Sequence, residues 1–493
     1  MKKFFLVLLL ALLASPAFAA IQNVKISGDI TSTWLNRDSF DLTSGPDAGI
    51  VGYGLKSQDV FLTQTRLRVD ADLSDNVSTT VGLINERAWG SEGTDWAGRY
   101  SNDTTVALYL ASVTMRELLY SPLTVTVGRQ VFYYGNGLIM GNGPNNVAEG
   151  GLRNIAADLT MRNSSDGVKA VLDYKPLTID MFYFKNSQST PSIDGLYNQK
   201  NESSDVYGIN ANYQLSDSWN TVVEGYLFGR SNGKNMADDY LTINSSGTTV
   251  SASGTDKNDT LYVPGLHAST NPIKGLNVQG ELAWQLGNKP VGLTVGSTSY
   301  GQEAEHRNAM AAQLLASYAL PVVEKYKPTV NASYTYVSGD KDGYANGNVP
   351  GSGKSAKVYT AWDPMFEGQG GGTIYNTLFN LTDMNIIALG ASVNPLEDVN
   401  VSATWSNLWA AQRFGTYNPL ELMQPNGYAY AFIPSGTDKK RGLGNEADVN
   451  MTYNYTEDVT FGVSLGWFVP GSVFADANKS TASQAMVDLG VKF

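Results

Sequence analysis

From Val24 to the end of the chain, apolar and polar residues alternate one by one, and this period of two constrains the fold more than any other feature. Leu276, Val278, Leu282, Trp284 and Leu286 share one side of an extended segment, while Asn277, Gln279, Glu281 and Gln285 share the other. Ala447, Val449, Met451, Tyr453 and Tyr455 likewise oppose Glu446, Asp448, Asn450, Thr452 and Asn454. Successive side chains of a strand point to opposite faces, so each segment carries one greasy and one wet face.

The connectors between these segments alternate in length. Short turns fall at Ser74 to Asn76, Tyr120 to Pro122, Lys175-Pro176, Ser216 to Ser218, Asn271 to Gly275, Pro321 to Lys327, Pro395 to Glu397 and Glu457-Asp458. Between them lie long segments rich in Gly, Asn, Ser and Asp, roughly 38–57, 90–104, 131–166, 187–203, 231–257, 288–306, 339–382, 413–442 and 470–482. Eight short turns and two free ends close nine hairpins, or about 18 strands. This predicts an all-β transmembrane antiparallel up-and-down β-barrel with short periplasmic turns and long extracellular loops. A soluble sandwich would need a dry face between two sheets, and these polar faces are too hydrophilic for that. In lipid an unpaired strand edge cannot be satisfied, so the sheet must close on itself.

The start of the chain fits an exported protein. Met1-Lys2-Lys3, the apolar run Phe4 to Leu13 and the small-residue site Ala17-Phe18-Ala19 read as a signal peptide over residues 1–19, with a single barrel domain over 20–493. The apolar run is too short to span a bilayer as a helix. At the other end, Val487-Asp488-Leu489-Gly490-Val491-Lys492-Phe493 is an alternating strand closed by Phe493, the kind of terminus read by the barrel insertion machinery. The expected surroundings are outer-membrane lipid and lipopolysaccharide of a bacterium.

Composition removes other function classes. With 46 Asp/Glu against 34 Lys/Arg the net charge is −12, and loss of Lys2 and Lys3 makes it −14, so no nucleic-acid partner is expected. No cysteine means no thiolate metal site, and two histidines rule out a histidine-rich one. No cofactor or metal is expected. His267 and His306 lack the context of a nucleophile and base, and both read as rim or loop residues, so no enzyme is expected. Asp340-Lys341-Asp342-Gly343 lacks the further acidic ligands of a calcium loop. Trp34, Trp89, Trp284, Trp405, Trp409 and Trp467 fit interfacial girdles.

The wet faces are the candidate solute path. Gln64, Arg66, Arg68, Asp70 and Asp72 share a face, as do Ser112, Thr114 and Arg116. Asp29, Asp180, Glu224, Glu281, Arg307, Glu446, Asp448 and Lys492 fall inward by the same phase. Each such charge is either part of the path or half of an ion pair within the wall. Arginine suits bidentate carboxylate recognition, which singles out Arg66 and Arg68. Two arginines break the phase: Arg129 follows Leu123, Val125 and Val127, and Arg87 follows Val81 and Leu83. A bulge at Gly128 would turn Arg129 inward, and Arg87 fits the outer rim. The glycine-rich stretch with Tyr134, Gly135, Gly137, Gly141 and Gly143 suits either a loop folded into the pore or a plain series of turns.

At these residues the chain resembles the alginate export family of outer-membrane porins. The matching pieces are Thr65-Arg66-Leu67-Arg68, Asp70-Ala71-Asp72-Leu73, Asn85-Glu86-Arg87, Gly128-Arg129-Gln130, Tyr134-Gly135-x-Gly137, Gly444-Asn445-Glu446-Ala447-Asp448 and Phe468-x-Pro470-Gly471. The resemblance implies an 18-stranded barrel and an arginine-lined constriction passing an anionic polysaccharide, carried onto Arg66, Arg68, Arg87, Arg116 and Arg129. The reading is therefore a channel for passive passage of an anionic saccharide. A general small-solute porin and a structural or adhesive surface barrel are the alternatives.

Overall fold

The computed structural model describes residues 23–43, 56–90, 106–141, 156–187, 204–233, 242–243, 249–252, 258–295, 298–340, 358–368, 371–413 and 440–493. Residues 1–19, expected to be a signal peptide, lie outside them, as do Lys341, Asp342 and Gly343.

Eighteen strands, each antiparallel to its neighbours, form a closed barrel. The first six are β1 (Asn23–Asp38), β2 (Ser57–Ser74), β3 (Val77–Ala88), β4 (Ala107–Arg116), β5 (Leu123–Gln130) and β6 (Ser165–Asp173). Then follow β7 (Leu177–Ser187), β8 (Ser204–Gln214), β9 (Val222–Asn232), β10 (Asp259–Ile273), β11 (Leu276–Val295) and β12 (Thr298–Ala319). The last six are β13 (Thr329–Val337), β14 (Met384–Leu396), β15 (Val399–Ala410), β16 (Gly442–Asn454), β17 (Val459–Pro470) and β18 (Ala482–Lys492). Every short connector anticipated from the sequence falls at the end where both termini lie. One expected long loop does not exist as such. Within 288–306, β11 and β12 stay paired from Asn288↔His306 to Val295↔Thr298, because the polar alternation of a strand standing clear of lipid looks like loop composition.

Closure rests on the seam between β1 and β18, which pair from Asp29↔Lys492 to Asp38↔Ser483. Below that register Gly28 N–H donates to the Phe493 carbonyl (2.8 Å) and Phe493 N–H donates back to the Gly28 carbonyl (3.0 Å). A Cβ on Gly28 would stand 2.6 Å from both the Arg66 carbonyl oxygen and the Phe493 ring, so only glycine lets the terminal residue close the wall.

The outer face is stratified by register. On β5 to β10, Val125, Ala170, Met181, Ile209, Leu227 and Pro264 form one cross-strand row. The next row toward the extracellular end is Val127, Val168, Tyr183, Tyr207, Gly229 and Tyr262, and above it stand Arg129, Asp166, Lys185 and Asp205. Aliphatic, tyrosine and charged levels thus succeed one another as the surroundings change from hydrocarbon to headgroups. Elsewhere in the belt Phe61 stacks on Trp89 at 5.0 Å, and Trp34 and Trp89 donate their indole N–H to Asp59 (2.7 Å) and Thr63 (2.8 Å). Trp284, Trp405 and Trp467 are exposed on this outer face, as expected of girdle residues. Among the described residues no helix is long and apolar enough to cross a membrane.

A Gly28→Leu substitution should overpack the seam at a cost of about 1–3 kcal/mol. The expected result is a lower yield of heat-modifiable barrel in SDS gels and an earlier urea midpoint in lipid vesicles. A midpoint equal to wild type would show that the seam tolerates a side chain there.

Candidate functional site

The inner wall follows the phase read from the sequence. On β2 the side chains of Gln64, Arg66, Arg68 and Asp70 line the lumen, while Phe61 and Leu67 are exposed on the other face. Each arginine has a carboxylate partner. Arg66 reaches Asp29 on β1 through Nε (3.0 Å) and Nη2 (3.0 Å), and Arg68 makes a two-point pair with Asp70 at 2.7 and 2.9 Å. They are nevertheless 31% and 47% exposed, which leaves part of each guanidinium turned to the open lumen. Arg116 ends β4 beside the turn at Asn76, whose carbonyl accepts its backbone N–H (2.8 Å), so it stands at the periplasmic mouth.

Two arginines of the expected constriction are not in the lumen. The bulge expected at Gly128 is absent: Ser112↔Gly128↔Gly167 and Ala111↔Arg129↔Asp166 pair without a shift. Gly128 is needed for a different reason. With φ +118° it brings the strands so close that a Cβ would lie 2.1 Å from the Ala111 carbonyl oxygen. Arg129 therefore faces outward, where Asp166 neutralises it through two hydrogen bonds (3.0 and 2.7 Å) in the charged row above the tyrosine belt. Charge there costs about 0–1 kcal/mol, against 2–4 at mid-bilayer. Arg87 pairs with Thr63 in register and also sits on the outer face, since Ile84, Glu86 and Ala88 of β3 are the buried ones.

The glycine-rich segment 131–141 enters the barrel. Tyr134 stacks on Phe182 of β7 at 5.2 Å, and Phe132 on Phe184 at 4.7 Å, both on the inner wall. Gly135 (φ +56°) and Gly137 (φ +75°) adopt the left-handed conformation that turns the chain there. Gly141 is present because a Cβ would come 2.5 Å from the Gly368 amide nitrogen. Gly143 lies outside the described residues. Burial beside Asp180 pushes the Tyr134 phenol upward, so it stays neutral.

A second inward segment, 358–383, packs against the first. Gly141 N–H donates to the Phe366 carbonyl (2.7 Å), Phe366 N–H to Ile139 (3.0 Å) and Gly368 N–H to Gly137 (2.9 Å), giving a short parallel bridge. Asp363 fixes this segment to the wall. It takes Nη2 of Arg230 on β9 (2.8 Å) and Nη1 of Arg307 on β12 (2.7 Å), while Arg307 also holds Asp259 of β10 (2.7 Å). Gln285 of β11 closes the contact, donating to the Asp363 carbonyl (2.6 Å) and accepting its N–H (2.9 Å). Burial alone would raise the Asp363 carboxyl, but Arg230, Arg307 and Lys289 together hold it well below the ordinary carboxylate range. Lys289 donates to the Tyr359 hydroxyl (3.1 Å) at the start of the same segment.

On the opposite wall Glu446 accepts the backbone N–H groups of Ile374 (2.9 Å) and Tyr375 (2.7 Å), opening the short helix α1 (Tyr375–Leu378). Its neighbour Asp448 accepts the Thr373 hydroxyl. Glu446 is fully buried, so it serves this contact and does not face the open passage. Segment 156–162 completes the filling. Glu86 of β3 accepts Gln64 (2.8 Å), Thr160 (2.7 Å), the Met161 N–H (2.7 Å) and Arg162 (3.2 Å), and Asp158 joins Arg37 of β1 (3.1 Å) to Thr377 (3.2 Å). One apolar cluster runs across the lumen from Phe182 and Phe228 through Leu138, Trp362, Leu378 and Phe379 to Phe468 and Phe40. The extracellular half is therefore narrowed, and the periplasmic half carries the half-exposed arginines.

His267 is buried on the inner face of β10, contrary to the expected rim or loop, while His306 is exposed on β12 at the level where β11 and β12 rise clear of lipid and meets Asn288 Oδ1 at 2.9 Å. Sequence phase alone would have found Arg230, which follows Glu224, Tyr226 and Phe228 on one face, and Asp259 through Leu261 and Val263. Nothing in the sequence marks Asp363, whose partners are more than fifty residues away.

A search of curated proteins returns no significant match. Among solved structures the outer membrane protein OpdK of Pseudomonas aeruginosa is similar over 96% of this chain and 99% of its own at 9% identity, with a TM-score of 0.52. An improved structure of the same protein, OccK1, gives 11% identity and 0.53 over the same shares. Acinetobacter baumannii OccAB1 gives 11% identity and 0.52, covering 97% of this chain and 98% of its own. At such identities the likeness is one of fold. The family profile described as alginate export matches residues 43–488, nearly the whole barrel, and the chain belongs to that family of outer-membrane channels.

Proposed function

We propose that this outer-membrane channel passes an acidic saccharide, extended rather than folded, along a basic track on one arc of its lumen. The carrying observation is that cations recur along one arc of the inner wall and that two of its arginines stay part-exposed to the lumen. Lys492 on β18, Lys25 on β1, Arg66 and Arg68 on β2, Arg116 on β4 and Lys169 on β6 fall on one continuous arc, interspersed with Asp29, Asp70, Asp72 and Asp488. Arg66 and Arg68 keep donors open to a passing carboxylate even while paired with Asp29 and Asp70. The inward segments, which narrow the extracellular half, favour a linear substrate over a folded one.

A small-solute porin is the second reading, favoured by the carboxylate partner beside each of these two arginines. Planar-bilayer measurements separate the two. A short uronic-acid oligomer should interrupt the single-channel current, and a neutral oligomer of equal length should do so far less. In Arg66→Ala/Arg68→Ala the residence time of the acidic oligomer should fall at least tenfold, and the reversal potential in a salt gradient should move toward cation preference. Equal blockade by both oligomers would favour the small-solute reading.

The contact at Asp363 governs the width. Replacing one partner of a buried pair leaves the others uncompensated and costs about 3–5 kcal/mol. Asp363→Ala should therefore release segment 358–383 and produce a larger or flickering conductance in an intact barrel. A steady conductance equal to wild type would mean that this segment does not limit the passage.

A further inference from the structure

Strand β4 carries an irregularity that the arginines alone do not account for. Its ladder with β3 shifts between Gly82↔Leu110 and Leu83↔Leu108, so Tyr109 is an extra residue with no partner in register. Two successive residues, Tyr109 and Leu110, are consequently buried on the inner face, whereas Leu108 and Val113 are exposed on the outer one. A β-bulge of this kind re-aims a side chain, and such bulges concentrate next to functional sites. The Ser164 hydroxyl fixes this one by donating to the Tyr109 carbonyl.

Register shows where the side chain is aimed. Gly82 of β3 stands between Leu110 of β4 and Arg68 of β2. A Cβ on Gly82 would lie 2.6 Å from Tyr109 Cε1, so the tyrosine ring covers Gly82 and takes the room that a side chain would need there. The ring packs with Ile84 and Leu110, beside Val131 and Met161, and 9% of the residue remains exposed. Leaning across β3 brings the phenol within electrostatic reach of Arg66 and Arg68 and of their partners Asp29 and Asp70. Its hydroxyl has no hydrogen-bond partner among the described residues, and unlike the Tyr134 hydroxyl it is not sealed from solvent. Packing alone does not call for that hydroxyl, since a phenylalanine would cover Gly82 equally well.

We propose that Tyr109 is a specificity-determining residue of the track, its hydroxyl bonding a ring hydroxyl of the saccharide unit whose carboxylate Arg66 or Arg68 holds. The assignment rests on the acidic-saccharide reading above and narrows it to a solute with hydroxyl groups close to its carboxylate, as in a uronic acid unit. A guanidinium reads the carboxylate and treats any chain of carboxylates alike. A phenol both donates and accepts, so it answers a sugar hydroxyl in either sense. Its packed ring needs no reordering when the solute arrives, which keeps the cost of binding low.

The test compares two probes of equal length and charge in planar bilayers, an oligo-uronate and an oligo-glutamate, on wild type, Tyr109→Phe and Gly82→Ala. Phenylalanine keeps the ring over Gly82 and removes only the hydroxyl. Alanine at position 82 keeps the hydroxyl and pushes the ring out of its place beside Arg68. Each variant should shorten the residence of the oligo-uronate about two- to tenfold, the range of one neutral hydrogen bond. In Tyr109→Phe the residence of the oligo-glutamate should stay at the wild-type value. Either variant is sufficient if the other fails to insert as a barrel. An unchanged oligo-uronate residence, or an equal shortening for both probes, would overturn the proposal and leave Tyr109 as packing beside the arginines. Failure of the underlying reading shows separately, in wild type alone, as an oligo-uronate held no longer than a neutral oligomer.

Discussion

Hydrocarbon offers no partner to a backbone N–H or carbonyl, and the rest of this structure follows from that constraint. Each unsatisfied group in the bilayer core costs several kcal/mol, so a strand-built protein can cross only as a ring. The ring here is completed by the last residue. Phe493 exchanges two backbone hydrogen bonds with Gly28, and the pairing then runs up the whole of β1 and β18. Closure also fixes the phase of every strand. Once one face must meet lipid, a slip of one residue would turn Arg66 and Asp70 outward and Leu67 and Val69 inward.

The inner face is released from that demand, and the chain uses the freedom to fill the ring. Two connectors, through three segments, fold back into the extracellular half and are held there by side chains of the wall. The contacts share one form: a wall carboxylate or arginine meets backbone groups or an opposite charge on the loop. Glu446 receives two N–H groups of segment 371–378, Glu86 receives one from Met161, and Arg230 and Arg307 receive Asp363. Apolar packing then joins the connectors to one another through Leu138, Trp362 and Phe379. The narrowing is thus a small protein core assembled inside a pore.

How much of this could be read beforehand depends on range. Strand phase is local: Arg66, Arg68, Glu224 and Glu281 were placed inward from neighbours two residues away. Turn chemistry is local too, which is why all eight short connectors were found. Arg129 failed because one glycine admits two physical explanations, a bulge or a close strand approach, and φ and register are needed to choose. Segment 288–306 failed because a strand standing above the membrane loses its apolar face and resembles a loop. The inward folding of 131–141 was one of two readings, since glycines permit a turn without saying where it points. The anchoring at Asp363 was illegible, for Arg230 lies 133 residues away and only closure brings them together.

Burial separates the arginines of the lumen by role. Arg37 and Arg307 are 2% and 0% exposed, and their guanidinium donors are turned to Asp158, Asp259 and Asp363. A solute could reach them only by breaking contacts that hold the connectors in place. Arg66 and Arg68 also have carboxylate partners, yet water covers a third to a half of each side chain. Ion pairs exposed to that degree are worth about 0–1 kcal/mol, so a carboxylate on a passing solute can replace Asp29 or Asp70 at little cost. A site that must bind and release repeatedly needs such weakly committed charges, because a guanidinium presented bare would hold an acidic chain too firmly to let it move on. The pairing of these two arginines is therefore compatible with transport of an acidic solute, and it is the form that a track, as opposed to a binding pocket, has to take.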